Sequence, residues 1–360
     1  MDVVNIDELQ PLAKEKLEQM VYDYIAGGAE DEVTLFENEA AFQRIQFRPR
    51  VMVDVSQQDL STEVLGDQIN FPILLAPTAM HCLVHEEGEL ATARAAAALG
   101  TMMTLSTVAT YSIEEVAEAT DAPKWFQLYC FKDREATKFL VQRAEAAGYK
   151  ALCLTVDTPR VGRREADVRN GFHLPPGIVI KNLDTYEKFK DFPQDQQTSI
   201  VAAFINTMFE NALTWNDIEW LRSITNMPIL LKGVLTGEDA KLSVEHGVDG
   251  LIVSNHGGRQ LDGVPATIQA LPEVVEAVDG QLEVLVDGGI RRGSDVLKAL
   301  ALGAKAVLIG RPYVWGLALN GEAGVKRVLS ILREELEVAM ALAGCPTIKD
   351  IHPGIVQLTY

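Results

Sequence analysis

Basic residues are scarce. The 360-residue chain carries 32 Lys and Arg against 51 Asp and Glu, a formal net charge of −19. A surface that follows a polyanion needs clustered Lys and Arg, so the balance argues against nucleic acid as a partner. A small anionic substrate is not excluded, because it needs only a local cluster of positive charge. Cysteine is scarce too: Cys82, Cys130, Cys153 and Cys345 form no C-x-x-C pair, and three of the four lie inside or beside apolar runs. They read as reduced, mostly buried small hydrophobes of an intracellular protein, with no disulfide framework. Long apolar runs are missing, and no stretch reaches the roughly 18–20 residues of a membrane span. The opening MDVVNIDELQ lacks the basic and apolar regions of a secretory leader. The closing Leu358-Thr359-Tyr360 is not a peroxisomal tripeptide of the S-K-L type. A cytoplasmic protein without a membrane partner is the expectation.

What is present is alternation. Short apolar, β-branched runs recur at 71–76, 101–106, 124–129, 150–156, 227–232, 249–254, 282–287 and 304–310. Between them lie segments of helical period, among them 87–99, 133–147, 294–302 and 322–342. Near-continuous apolar strands alternating with amphipathic helices indicate parallel β structure covered by helices. Eight such units fit a (β/α)8 TIM barrel better than an open doubly wound sheet. Residues 1–70 precede the first barrel strand and read as a helical cap, with helices over 7–24 and 30–42, Asp7 as N-cap and Gly27-Gly28 as a stop. Residues 71–360 form the barrel. A long insertion after strand four, about 158–213, reads as a lid. The whole chain is expected to be one domain.

Chemistry in such a barrel belongs at the C-terminal ends of the strands. Here every strand ends in polar or special residues: Thr78 and Ala79, Ser106, Gln127 and Tyr129, Thr155 and Asp157, Lys232, Ser254 through Arg259, Asp287 through Arg291, and Gly310 with Arg311. The loops DGGIRRG and IGRP follow strands seven and eight, where phosphate commonly binds. They supply Gly289, Gly310, Arg291 and Arg311. Ser106, Gln127, Thr155 and Lys232 can hydrogen-bond the edge of a planar heterocycle. A lysine at a flavin edge would stabilise its anionic reduced form. His256, between polar and glycine neighbours, suits a general base titrating near neutrality. Asp157 can orient it, and Arg164 and Arg259 can bind a carboxylate bidentately. His81 and His85, spaced i, i+4, lack a third ligand, and no metal is expected.

These residues resemble the FMN-dependent L-2-hydroxy acid oxidase family, which includes glycolate and L-lactate oxidases. The likeness runs through YDYIAGGAEDEVTL, APTAM, FQLY, LTVDTPRVGRREADVRNGF, SNHGGRQLDGVPAT, DGGIRRG and the closing MALAGC. It implies FMN as cofactor and a reaction that takes two electrons and two protons from a small 2-hydroxy acid, with O2 as acceptor and hydrogen peroxide as product. It implies His256 as base with Asp157 as its partner, and Tyr24, Arg164 and Arg259 as carboxylate binders. Tyr129 would stabilise the reacting hydroxyl. Thr78, Ala79, Ser106, Gln127, Thr155, Lys232, Ser254, Asp287, Gly289, Arg291, Gly310 and Arg311 match FMN contacts. A homotetramer is implied as well. Val108 stands where plant-type glycolate oxidases carry Trp, which leaves room for the methyl of L-lactate. Ala79 is the oxidase-like choice. Glycolate or a longer 2-hydroxy acid stays open as substrate. So do two other classes: another FMN barrel enzyme, such as a type 2 isopentenyl diphosphate isomerase, and a flavin-binding protein without catalysis.

Overall fold

The computed structural model describes residues 2–184, 186 and 206–359. Eight parallel strands close into a barrel: β1 (Ile73–Leu75), β2 (Met103–Ser106), β3 (Lys124–Leu128), β4 (Ala151–Thr155), β5 (Ile229–Val234), β6 (Gly250–Val253), β7 (Glu283–Asp287) and β8 (Ala306–Ile309). Each expected apolar run carries one of them. Ring order follows chain order, and β8 closes on β1 in the register Val307–Ile73, Leu308–Leu74. The strands are buried on both faces because helices cover the outside and side chains fill the inside. Trp125, Leu74, Met102, Cys153, Leu230 and Leu285 belong to the cluster that fills the interior.

The expected helices are present, with shifted limits. Gly88–Leu99 is Ala-rich and ends on left-handed Gly100. Arg134–Ala146 starts on Asp133, whose carboxylate accepts from the Glu135 amide. The segment 322–342 is the second part of a longer stretch, Arg311–Ala343, broken at Asn320 and Gly321.

The region before the barrel departs from the all-helical expectation. The 7–24 stretch is a short 3-10 turn followed by two helices, Leu9–Lys16 and Gln19–Ala26, separated at Leu17 and Glu18. Asn5, not Asp7, caps the first turn by accepting from the Glu8 amide. Asp7 instead pairs with Arg292 at 3.2 Å. Gly27 does end its helix. Residues 45–70 are not helical. Ile45–Phe47 pairs with the C-terminal strand Val356–Leu358. Thr62–Val64 and Asp67–Ile69 form a hairpin that packs Val64 and Ile69 into the cluster filling the barrel. These three-residue strands are too short for period-two patterning to reveal. Of the expected lid, Glu165–Arg169 and Lys181–Asp184 are short helices. Its middle, 187–205, lies outside the described residues.

Candidate active site

The strand ends line one cavity at the C-terminal mouth. It gathers Thr78, Ala79, Ser106, Val108, Gln127, Tyr129, Thr155, Lys232, Asp287, Gly289, Arg291, Gly310 and Arg311. Tyr24 reaches it from the N-terminal region, Arg164 from the loop after β4, and His256 and Arg259 from the loop after β6. Two expected residues stand behind this wall. Asp157 touches His256, and fully buried Ser254 accepts from the Lys232 ammonium at 2.8 Å.

The floor is a chain of polar side chains. Ser106 Oγ donates to Gln127 Oε1 at 3.3 Å, and Gln127 Nε2 donates to Thr155 Oγ1 at 3.0 Å. Buried Lys232 pairs with Asp287 Oδ2 at 3.1 Å. Burial works against its charge, but Asp287 and then Asp157 outweigh burial and hold the ammonium above its ordinary range. Asp287 Oδ1 and Asp157 Oδ2 are buried with no hydrogen-bond partner among the described residues. Each is an acceptor open to a further donor, since an unpaired buried polar atom costs about 1–3 kcal/mol.

His256 sits in left-handed backbone, φ 59°, an unfavourable conformation for a residue with a Cβ. Its amide donates to Ser254 Oγ at 3.1 Å. Nδ1 lies 3.0 Å from Asp157 Oδ1. An ionised carboxylate can only accept, so Nδ1 carries the proton and Nε2 is left bare. Nε2 lies 3.5 Å from the Tyr129 hydroxyl. The expected titration near neutrality needs correction. With its side chain only 20% exposed, burial pushes His256 below its ordinary value, although Asp157 pulls the other way. Asp157 is held below the usual carboxylate range: burial opposes this, and His256 and Lys232 outweigh it.

Arg259 donates to the Gly27 carbonyl at 2.8 Å and lies over the Tyr24 ring, 5.1 Å from its centroid. Burial and the neighbouring charge of Arg164 lower it to about 10. Arg164 Nε lies 3.5 Å from the Arg259 carbonyl. Two guanidinium groups that line the same cavity and feel each other's charge favour an anion beside them. Val108, only 4% exposed, lines the same cavity.

The expected phosphate arginines have a second task. Arg311 donates to the carbonyls of Ile25, Gly27 and Gly257, each at 2.9 Å. Arg291 pairs with Glu39 at 2.6 Å. Both tie the N-terminal region to the mouth. Gly289 likewise leaves room for that region, since a Cβ there would stand 1.9 Å from the Asn38 carbonyl oxygen. A further fastening of the cap is not legible in the sequence. Buried Asn38 and Asn255 exchange amide hydrogen bonds at 2.9 and 2.8 Å. Asn255 lies inside the SNHGGRQ motif, but nothing in the sequence marks Asn38 as its partner.

A model of the FMN-dependent dehydrogenase family matches residues 13–358. A glycolate oxidase of Spinacia oleracea is 55% identical over 352 residues, covering 98% of this chain and 95% of its own. An L-lactate oxidase of Nostoc sp. is 54% identical over 359 residues, covering 99% and 98%. Among solved structures, a mandelate oxidase with (S)-4-hydroxymandelic acid aligns with a TM-score of 0.94 at 42% identity, covering 99% of each chain.

Proposed function

We propose, on the premise that this chain belongs to the FMN-dependent dehydrogenase family, that it oxidises L-lactate to pyruvate and passes the electrons to O2 to give hydrogen peroxide. The observation that carries this reading is the arrangement of one bare imidazole nitrogen, two guanidinium groups and a small apolar wall around a single cavity. Arg164 and Arg259 would hold the substrate carboxylate, with Tyr24 beside them. His256 Nε2 would accept the proton that the substrate loses, and Asp157 would stabilise the imidazolium formed. The Tyr129 hydroxyl, 3.5 Å from Nε2, is placed to hydrogen-bond the substrate oxygen at the same carbon.

FMN fits the rest of the cavity. Gln127, Ser106, Thr155 and Lys232 present the donors and acceptors that a flat polar ring requires. The unpartnered Asp287 Oδ1 is an acceptor for the hydroxyls of a ribityl chain. Gly289, Arg291, Gly310 and Arg311 would hold its phosphate, beside the start of helix Arg311–Ala343, whose N-terminus has no side-chain cap among the described residues. FMN, when bound, supplies the two-electron acceptor.

Substrate choice rests on Val108. Overall identity does not separate the two activities, at 55% for the glycolate oxidase and 54% for the L-lactate oxidase. A valine wall leaves space beside the carbon that bears hydrogen in glycolate and methyl in L-lactate. Burying that methyl is worth about 1–3 kcal/mol, or about 10–200-fold in kcat/KM. The test is kcat/KM for both acids with peroxide detection. A wild type that prefers glycolate would overturn the lactate assignment and leave the 2-hydroxy acid chemistry standing.

A further inference from the structure

Behind Thr78, on the side away from the cavity, lies a buried polar chain that the proposed reaction does not use. Thr78 Oγ1 is 2.6 Å from His81 Nε2 and also contacts the Tyr313 hydroxyl. Tyr313 donates to the Ala76 carbonyl at 2.8 Å and lies 3.2 Å from the same His81 nitrogen. His81 Nδ1 is 3.1 Å from Thr92 Oγ1, and that hydroxyl donates to the Gly88 carbonyl at 3.3 Å. Tyr313 and Thr92 are fully buried and His81 nearly so.

The donor count fixes the directions. Thr92 spends its one proton on Gly88, so it accepts from His81, and Nδ1 carries the imidazole proton. Nε2 is then an acceptor, and the Thr78 hydroxyl donates to it. Burial pushes His81 below its ordinary value, which agrees with a neutral ring; Glu89, whose carboxylate accepts from the His81 amide at 3.0 Å, is the charge that opposes this. With the hydroxyl turned inward, the Thr78 methyl faces the cavity. It is the nearest atom, at 3.7 Å, to where a Cβ on cavity-lining Gly310 would stand.

We propose that His81 and Tyr313 are positioning residues that hold the Thr78 hydroxyl out of the active-site cavity, so that Thr78 meets the ligands as a methyl wall and not as a hydrogen-bonding group. This deepens the reading that a small apolar substituent is selected, and it rests on that reading. Without the pair, the hydroxyl would be free to turn outward and replace the methyl. An apolar contact would then be exchanged for an unpaired polar one.

The experiment uses FMN-loaded Thr78→Val, His81→Leu, His81→Gln, Tyr313→Phe and the doubles of Thr78→Val with His81→Leu and with Tyr313→Phe. It measures kcat and KM for L-lactate and glycolate, and the dissociation constant of FMN from each protein. Thr78→Val, which keeps a methyl wall and lacks the hydroxyl, is the background for the doubles and should lose less kcat/KM for L-lactate than His81→Leu or Tyr313→Phe. His81→Leu and Tyr313→Phe should each lower kcat/KM for L-lactate by about tenfold, mainly through KM. His81→Gln, which can still accept from Thr78, should remain near wild type. On the Thr78→Val background, the losses from His81→Leu and Tyr313→Phe should shrink to within about threefold. A Thr78→Val variant as impaired as the others would mean that the hydroxyl contacts a ligand directly. Undiminished losses in the doubles would mean that His81 and Tyr313 act on the fold and not through Thr78. If wild type prefers glycolate, the lactate reading falls, while the coupling, read with glycolate and with FMN dissociation, still decides this proposal.

Discussion

At the residue scale, His256 and Arg259 carry the sharpest expectations. His256→Ala should keep FMN and lose about 10²–10⁴ in the rate of flavin reduction, measured by stopped flow. Reduction within about tenfold of wild type would remove His256 from the mechanism. The pH profile follows from its environment. The base works in its neutral form, and burial lowers its pKa from the ordinary 6.5. Activity should therefore persist below pH 6.5, and the acid limb of kcat/KM should fall at a lower pH than an exposed histidine would give. Asp157 opposes that shift, so Asp157→Asn should move the limb lower still. An acid limb at or above the ordinary histidine value would contradict the geometry. Arg259→Lys keeps the charge and loses the planar fork. It should raise KM for L-lactate by about tenfold or more; an unchanged KM would leave the carboxylate to Arg164 alone.

At the scale of elements, loops that carry chemistry are fastened to helices that do not. Gly258 is the clearest case. Its carbonyl accepts from the Ala29 amide at 2.8 Å, and a Cβ on it would come 2.6 Å from both Leu35 N and Leu35 Cα. Its φ of 75° adds backbone strain to that clash. Gly258→Ala should lower stability by about 1–3 kcal/mol, read as a drop in the melting temperature of the holoenzyme, and should weaken substrate binding because His256 and Arg259 sit on either side of it. An unshifted melting temperature would show that the cap yields without cost. The loop after β2 is fastened too. The Val108 carbonyl accepts from the Met80 amide at 3.2 Å, so Val108 is held against the loop that carries Ala79. Val108→Trp should narrow or invert the lactate-to-glycolate ratio of kcat/KM, mainly by loss of lactate activity, within the range of about 10–200-fold that one methyl contributes. A ratio untouched by Trp would locate specificity elsewhere. These elements also mark what a sequence can reveal. The eight barrel strands announce themselves because each is buried on both faces and reads as an apolar run. The rim residues are visible because they interrupt those runs with polar groups. The hairpin Thr62–Ile69 and the pairing of Ile45–Phe47 with Val356–Leu358 are invisible, since three-residue strands carry too little pattern and their partners are set by tertiary packing. The His81–Tyr313 contact spans 232 positions and joins a turn to a helix, so neither residue signals the other.

At the scale of the whole molecule, the cavity is walled by segments that lie far apart in sequence. Arg311 holds the carbonyls of Ile25 and Gly27 across separations of 286 and 284 residues. That arrangement orders events in time. A ribosome adds about 5–20 residues per second, so the segment bearing Tyr24 waits roughly tens of seconds for the arginine that will hold it. During that interval strands one to seven can pair with their neighbours, while the cap has nothing to grip. Refolding from urea should show the same order, because contacts so distant in sequence form late. Far-UV circular dichroism should recover first, and quenching of FMN fluorescence should follow as a slower phase. Arg311→Ala should lengthen that second phase and leave the first unchanged. Equal rates for the two signals in wild type would mean that the N-terminal helices dock without their anchor. Competence to bind the cofactor would thus arrive late in the nascent protein, conferred by an arginine on carbonyls made nearly three hundred residues before it.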